Sequence, residues 1–166
     1  MSRFLIFISL FISHFALAMS DDRDAQVSTN KIVEGIVSFS HWPNLTGQPL
    51  LCVSQKSTYF DFSKITQNQV FKVATITDKK DYLLSDCNAI YFGQEPESEQ
   101  AAVIKSLTGE NILTISENNA DCVAGAAFCI NRHEKKFKFS VNLDSLSRSG
   151  VKVNSDVLLL SKDGDE

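Results

Sequence analysis

The stretch NAIYFGQEPESEQAAVIKSLTGENILTIS, residues 88–116, decides the fold because it reads as a strand, a helix and a second strand. Residues 88–93 form a short apolar run ending in glycine, which is typical of a buried strand. Pro96 suits the first position of a helix, and Gly109 suits its end. Residues 111–116 predict the next strand. A helix between two strands favours parallel pairing, because parallel strands need a long crossover.

Upstream of this unit the same alternation continues. Apolar residues at helical spacing predict a helix over 24–39, which the dipeptide at 42–43 (Trp-Pro) stops because proline cannot continue a helix. Apolar and β-branched residues predict strands over 50–54 and 70–77. The remaining segments are a helix over 57–67, carrying Tyr59, Phe62 and Ile65, and a short helix or turn over 78–85 with Asp78 as its N-cap.

The C-terminal part changes to an antiparallel pattern. Residues 125–131 and 136–143 predict two strands joined by a charged turn. In the second strand, period-two alternation predicts one buried and one wet face. Its predicted inward residues are Phe137, Phe139, Val141 and Leu143.

Two short elements close the chain. Asp144 is the predicted cap of a helical turn over 144–149, with Gly150 as its stop. Residues 157–160 are a candidate last strand. Together the patterns predict an α/β fold, with a mainly parallel central sheet flanked by helices on both faces and an antiparallel C-terminal hairpin.

The first eighteen residues predict a secretory signal peptide. Arg3 supplies a positive start, 4–15 are mostly apolar, and 16–18 (Ala-Leu-Ala) form a small-x-small cleavage site. The apolar run is shorter than the roughly 20 residues of a membrane span. We therefore expect removal of 1–18 and a single domain over 19–166, folded outside the cytoplasm. An uncleaved N-terminal anchor is the alternative.

The charge balance argues against two classes of partner. Removing Arg3 with the leader leaves 15 basic against 20 acidic side chains. Such a surface favours neither nucleic acid nor anionic lipid. A small acidic cluster at Glu95, Glu97 and Glu99 is expected to be a solvated face.

Four cysteines in an exported domain predict disulfides, and four cysteines allow three pairings. Cys122 and Cys129 lie seven residues apart around Gly125, which lets the chain turn back. Cys52 lies in one predicted parallel strand, and Cys87 precedes another. This placement favours Cys52–Cys87 and Cys122–Cys129.

The sequence contains no concentrated catalytic set. It has no Cys-x-x-Cys, nucleophile elbow, Walker loop or dinucleotide fingerprint. His41 is a conceivable general base, but a histidine beside an aromatic at a helix end is more often a cap or packing residue. His133 lies in a charged turn, and Asp78 and Asp81 lie beside lysines in another. We therefore expect a binding or regulatory protein that is not an enzyme and has no metal or cofactor.

Motifs spread over the chain resemble the YfiR family. They are GIVSFSHWP (35–43), LCVS (51–54), DCNAIYFG (86–93), G-x-x-F-C (125–129), F-x-V-N-L-D (139–144) and S-R-S-G (147–150). Each motif is weak alone, but their order and spacing together are specific. One position departs, because His41 stands where family members often carry arginine before Trp-Pro.

The resemblance implies a periplasmic repressor. It would bind the periplasmic region of a YfiN-type inner-membrane diguanylate cyclase and hold down cyclic-di-GMP synthesis and biofilm formation. A YfiB-type outer-membrane lipoprotein would sequester it and relieve repression. The resemblance also implies an α/β, disulfide-bonded protein that commonly forms a homodimer.

Two sets of residues are candidate binding sites. Phe128, Leu146 and Arg148 are candidate contacts to the cyclase; the alternatives are core packing for the apolar pair and local hydrogen bonding for the arginine. A periplasmic small-ligand receptor is the second functional hypothesis. Its candidate pocket residues are His41, Trp42, Lys152 and Asn154.

Overall fold

A computed structural model of the chain describes residues 29–61, 63, 65, 70–120, 122, 123, 125–133 and 136–160. The predicted signal peptide and its cleavage point lie outside the described residues. None of the described helices is both long enough and apolar enough to cross a membrane.

The centre of the fold is a six-stranded sheet. Its strands are β2 (Leu50–Ser54), β3 (Lys72–Ile76), β4 (Ala89–Phe92), β5 (Leu113–Ser116), β6 (Phe128–His133) and β7 (Lys136–Val141). Across the sheet they follow the order β3-β2-β4-β5-β6-β7. The pairings from β3 through β6 are parallel, and β7 alone is antiparallel to its neighbour β6. The predicted mainly parallel sheet with an antiparallel hairpin is therefore confirmed.

Five helices accompany the sheet within the described residues. They are α1 (29–38), α2 (Lys79–Leu84), α3 (Glu97–Ser106), α4 (Leu143–Ser149) and α5 (Ser155–Leu160). A two-stranded antiparallel pair, β1 (Ser40–His41) with β8 (Lys152–Val153), links the end of α1 to the segment before α5.

The two faces of the sheet carry separate apolar cores, because alternate residues of a strand point to opposite faces. In β4, Ala89 and Tyr91 join the cluster that contains Ile36 of α1 and Val157 of α5. Ile90 and Phe92 of the same strand join the cluster that contains Tyr82 of α2 and Val103 of α3. A strand covered on both faces is apolar throughout, which explains why all four residues of β4 are buried. Helices on both faces are thus confirmed.

Both predicted disulfides are present. Cys52 bonds to Cys87 and Cys122 to Cys129, with Cα atoms 5.8 Å and 5.5 Å apart. Cys52 lies in β2, and Cys87 lies just before β4, the strand that pairs with β2. The neighbouring parallel strands bring the two sulfur atoms together, as the sequence predicted.

Several sequence predictions about element ends are wrong. Residues 155–160 form α5 and not a strand over 157–160. Asn142 caps α4 in place of Asp144, because the Asn142 side chain accepts a hydrogen bond from the Ser145 N–H at 2.9 Å. Leu143 consequently begins α4 and is 64% exposed, so it is not an inward residue of β7.

Four further predicted boundaries have mixed outcomes. Residues 57–61 are irregular, with a bend at 58–59, and do not start a helix; Phe62 lies outside the described residues. Pro96 is the N-cap of α3, one position before the predicted one. Asp78 does cap α2, through a capping box with Asp81, and Gly150 ends α4 in the left-handed conformation.

Candidate functional site

Phe128 and Leu146, the two apolar candidates for partner contact, lie in the core. Phe128 is fully buried, and its ring centroid lies 6.0 Å from that of Phe139. Leu146 is 8% exposed and belongs to the same apolar cluster. The folded domain therefore does not present either side chain to a partner, and core packing describes both. Their apolar character was visible in the sequence, but the direction in which each points depends on the pairing of β6 and the placement of α4.

Arg148 lies on the surface of α4 and makes local contacts. Its guanidinium forms an ion pair with Asp144 one turn earlier, and it donates a hydrogen bond to the Ser145 hydroxyl at 3.2 Å. The Arg148 side chain is 52% exposed. Local bonding, the alternative considered for this residue, is present, and the exposed part of the guanidinium remains accessible to a partner.

Three of the four predicted ligand residues converge. His41 of β1 lies opposite Lys152 of β8 in the antiparallel register, and the Asn154 backbone N–H donates to the Phe39 carbonyl at 3.0 Å. His41, Lys152 and Asn154 line one shallow cavity of about 450 Å³. Trp42 does not line it.

Trp42 instead holds the chain to the sheet. It is 4% exposed, and its indole Nε1–H donates a hydrogen bond of 2.8 Å to the Asn88 carbonyl, just before β4. Asn88 in turn accepts the Leu50 N–H with its side-chain oxygen at 2.8 Å. The indole is thus a structural link between the β1 segment and the start of β2 and β4.

An apolar groove adjoins the shallow cavity. The groove measures about 290 Å³, and Phe39 lines both it and the cavity. Phe39 is 48% exposed, although it is a large aromatic residue. We call the combined area the Phe39 surface; its residues are Lys31, Ile32, Gly35, Ile36, Ser38, Phe39, Ser40, His41, Phe137, Phe139, Lys152, Val153, Asn154 and Val157.

The charge of the Phe39 surface is opposite to that of the whole chain. The cations Lys31 and Lys152 belong to it, and none of the described residues that line it is Asp or Glu. The full sequence carries a formal net charge of −4. An apolar centre with a basic rim complements a partner that presents apolar side chains among acidic ones.

The sequence reasoning missed Phe39 because it treated this residue as one more apolar position of a helix. Helix α1 ends at 38, and the Phe39 N–H bonds to the Gly35 carbonyl at 3.1 Å as the chain leaves the helix. Phe39 therefore stands directly after the helix, where its half-exposed ring lines the groove with Ile32 and Ile36. The sequence does contain one signal of this position. Trp42–Pro43 stops any helix, and Phe39 lies only a few residues before it, so Phe39 must lie near the end of the helix.

Two buried carboxylates near the carboxyl ends of the parallel strands were also missed. Glu95 is 7% exposed and Glu117 is 6% exposed. The prediction that Glu95 belongs to a solvated acidic face is therefore wrong, because this carboxylate is covered and hydrogen-bonded to the Ser54 and Tyr82 hydroxyls. Glu97 is exposed, as expected.

Glu117 holds the loop after β2 against the sheet. Its Oε1 accepts the Thr58 N–H at 2.6 Å and the Gln94 amide at 2.9 Å. Its Oε2 accepts the Tyr59 N–H at 2.9 Å and the Tyr91 hydroxyl at 2.8 Å. Burial and the neighbouring Glu117 charge raise the pKa of Tyr91 well above its usual value, so the hydroxyl remains a donor. This arrangement is structural, because every donor comes from the chain itself.

Within the part of the chain that the structure describes, no carboxylate lines the cavity beside His41. Among the described residues, no group of three or more His, Cys, Asp or Glu side chains could hold a metal ion.

One protein-family model matches most of the chain. The model of the family described as YfiR/HmsC-like matches residues 27–162. This range contains the whole six-stranded sheet, both disulfides and every residue of the Phe39 surface. The chain belongs to the YfiR/HmsC-like family.

Proposed function

We propose that this protein is a periplasmic negative regulator that binds the periplasmic domain of an inner-membrane diguanylate cyclase and represses cyclic-di-GMP synthesis. The observation that carries the proposal is the family match over residues 27–162. Two disulfides fit an oxidising compartment such as the periplasm. An outer-membrane lipoprotein that sequesters the regulator would relieve repression, and a homodimer is the expected form.

The Phe39 surface is the proposed contact with the cyclase. It combines a half-exposed aromatic ring, a groove and a basic rim. Aromatic side chains that enter a partner's pocket are typical anchors of protein interfaces. The rim lysines, Lys31 and Lys152, would steer an acidic partner and set its orientation.

Repression follows from differential affinity for two conformations of the cyclase. A regulator that binds the inactive conformation more tightly shifts the population toward it. Shifting the equilibrium from 1:99 to 99:1 requires a preference of about 5.5 kcal/mol. Burying the exposed half of Phe39 contributes roughly 1 kcal/mol by area. The groove and the rim must therefore contribute as well, which requires a broad interface rather than one anchor.

A binding measurement with matched variants tests the proposal. Phe39→Asp places a charge at the centre of the surface, whereas Leu143→Asp makes the same kind of change at a residue that is 64% exposed and lines neither cavity. Both positions are exposed, so both variants should fold. We expect Phe39→Asp to weaken binding of the cyclase's periplasmic domain at least about 30-fold, equivalent to roughly 2 kcal/mol.

The control variant Leu143→Asp should bind the cyclase's periplasmic domain with an affinity within threefold of that of the wild-type chain. Equal affinity of the two variants would remove the Phe39 surface from the interface. Absence of binding by the wild-type chain, with and without reductant, would contradict the proposed regulator itself.

A small-ligand receptor is the second candidate, favoured by the convergence of His41, Lys152 and Asn154 on one cavity. The neighbouring ring of Phe39 and the basic side chains suit an aromatic or phosphate-bearing ligand. Lys152→Ala should then abolish ligand binding while leaving Tm unchanged, because Lys152 is exposed. Calorimetric titration with pyridoxamine phosphate as the probe would detect such a site, and no heat of binding would count against it.

A further inference from the structure

A second cavity lies beyond the carboxyl ends of β2, β3 and β4. Strand β2 stands between β3 and β4, so the direction of strand order reverses there. Open parallel sheets bind ligands outside the carboxyl ends of their strands at such a reversal. The cavity measures about 480 Å³ and shares no residue with the Phe39 surface. We call it the strand-end cleft, and its lining residues are Lys56, Thr77, Asp78, Lys80, Tyr82, Glu95 and Glu99.

Glu95 is the buried carboxylate of this cleft, with 7% exposure. Its Oε1 accepts hydrogen bonds from the Ser54 and Tyr82 hydroxyls. Its Oε2 is buried and has no hydrogen-bond partner among the described residues. A desolvated carboxylate oxygen without a donor destabilises the fold. Because Oε2 is itself covered, a donor group from the cleft reaches it only when a lining side chain moves aside, and the hydrogen bond then removes that penalty.

Tyr82 fixes the orientation of the Glu95 carboxylate. Its hydroxyl lies 3.3 Å from Glu95 Oε1. Burial, more than any other cause, raises the pKa of Tyr82 to about 12, so the hydroxyl stays protonated and donates. On the other side, the Ser54 hydroxyl accepts the Lys56 N–H at 3.0 Å while bonding to the same Oε1. The second oxygen is left for another donor.

Charged side chains of both signs line the same cavity, and Glu99 is a further carboxylate there beside Asp78 and Glu95. Lys56 follows β2 and Lys80 lies in the first turn of α2, and both are exposed. The Asp78 side chain is already engaged, because it accepts a backbone N–H in the capping box of α2. The cleft therefore combines a buried acceptor at Glu95 with separate cationic groups at Lys56 and Lys80.

We propose that the strand-end cleft binds a small zwitterion, whose ammonium group donates to Glu95 Oε2 while Lys56 and Lys80 hold its acidic group. A ligand with a single charge would bind either Glu95 or the two lysines, but not both. The site goes beyond the proposed function, because its residues are separate from the Phe39 surface. It would give the regulator an input that does not compete directly with the cyclase.

Titration of the folded chain with ω-amino acids tests this inference. The probes are glycine, β-alanine, γ-aminobutyrate and ε-aminocaproate, which vary the distance between the charges. Acetate and ethylammonium are the matched single-charge controls. Backbone amide NMR shifts of Thr77, Tyr82 and Glu95 report binding at the cleft, and those of Phe39 and Lys152 report binding elsewhere.

At least one zwitterion should give saturable shifts at the cleft with tenfold or greater preference over both controls. The double variant Lys56→Met/Lys80→Met alters exposed side chains only, and it should weaken that binding at least tenfold. Glu95→Gln should abolish it if the variant folds. No saturable shift with any probe, or unchanged affinity in the double variant, would overturn the inference. Binding of the cyclase domain is measured separately, so failure here leaves the proposed function standing.

Discussion

Replacing Glu117 by glutamine tests how strongly one buried carboxylate stabilises the strand-end region. The carboxylate accepts hydrogen bonds from Thr58, Tyr59, Tyr91 and Gln94, two on each oxygen. Glutamine has nearly the same shape but offers one oxygen and one NH₂ group. Whichever way the amide turns, two of the four donors then face another donor.

The expected loss of stability in Glu117→Gln follows from the number of hydrogen bonds that the substitution removes. A hydrogen bond to a charged group contributes about 1.5–3 kcal/mol net, so losing two gives about 4 kcal/mol. That is a large part of the roughly 5–15 kcal/mol by which domains are stable. It corresponds to a Tm lower by roughly 10 °C for a domain of this size. Tyr91→Phe removes a single donor and should lower stability by about 1–2 kcal/mol.

Urea unfolding followed by the fluorescence of Trp42 measures the effect, since the sequence contains one tryptophan. Glu110→Gln is the matched control, because Glu110 is exposed in the turn after α3 and its change should stay within about 0.5 kcal/mol. If Glu117→Gln were no more destabilising than Glu110→Gln, the carboxylate would not hold the loop as argued.

Three further predictions concern the fold around the strand ends. Gly93→Ala should lower stability by about 3 kcal/mol in the same unfolding assay, because an added Cβ would lie 2.3 Å from the Lys56 carbonyl carbon; a loss below about 0.5 kcal/mol would refute this close approach. Replacing Cys52 and Cys87 together with serine opens a 35-residue loop and should lower stability by about 4 kcal/mol, measured against the oxidised wild type. Tyrosine in the unfolded chain has a pKa near 10, whereas the pKa of Tyr82 in the folded chain is about 12. The contribution of Tyr82 to the free energy of unfolding should therefore be fully present below pH 10 and be lost as the pH rises from 10 to 12. Tyr82→Phe should lose this component, as tyrosinate absorbance and unfolding at high pH would show.

The sheet was predictable because its strands carry strong local signals. The run Ala89–Phe92, for example, is short and apolar on both faces. The residue types also predicted Asp78 as the N-cap of α2 and Gly150 as the end of α4. The Cys52–Cys87 pairing followed from strand adjacency, and the Cys122–Cys129 pairing followed from the short spacing around Gly125. The prediction of a strand over 157–160 was wrong, because a short apolar run has no periodicity that distinguishes a strand from a helix such as α5. The Asn154 side chain, which accepts the Asp156 N–H at 2.9 Å, was the neglected sign of a helix start.

The candidate sites were less predictable because they depend on contacts between distant segments. Glu95 looks solvated beside Glu97 and Glu99, yet the Ser54 hydroxyl that bonds to it lies 41 residues away in sequence. Phe128 looked like a candidate anchor, yet the pairing of β6 with β5 and β7 buries its ring. His41, Lys152 and Asn154 line one cavity because the β1–β8 pair brings them together, a pairing that the sequence pattern does not reveal.

The most direct test of the central claim is the rate of cyclic-di-GMP synthesis by a full-length cyclase of this system in membrane vesicles, with the chain added on the periplasmic side. The wild-type chain and Leu143→Asp should both lower the rate in a saturable way, and Phe39→Asp should lower it only at concentrations at least about 30-fold higher. A synthesis rate that stays constant at every concentration of the wild-type chain would contradict the account.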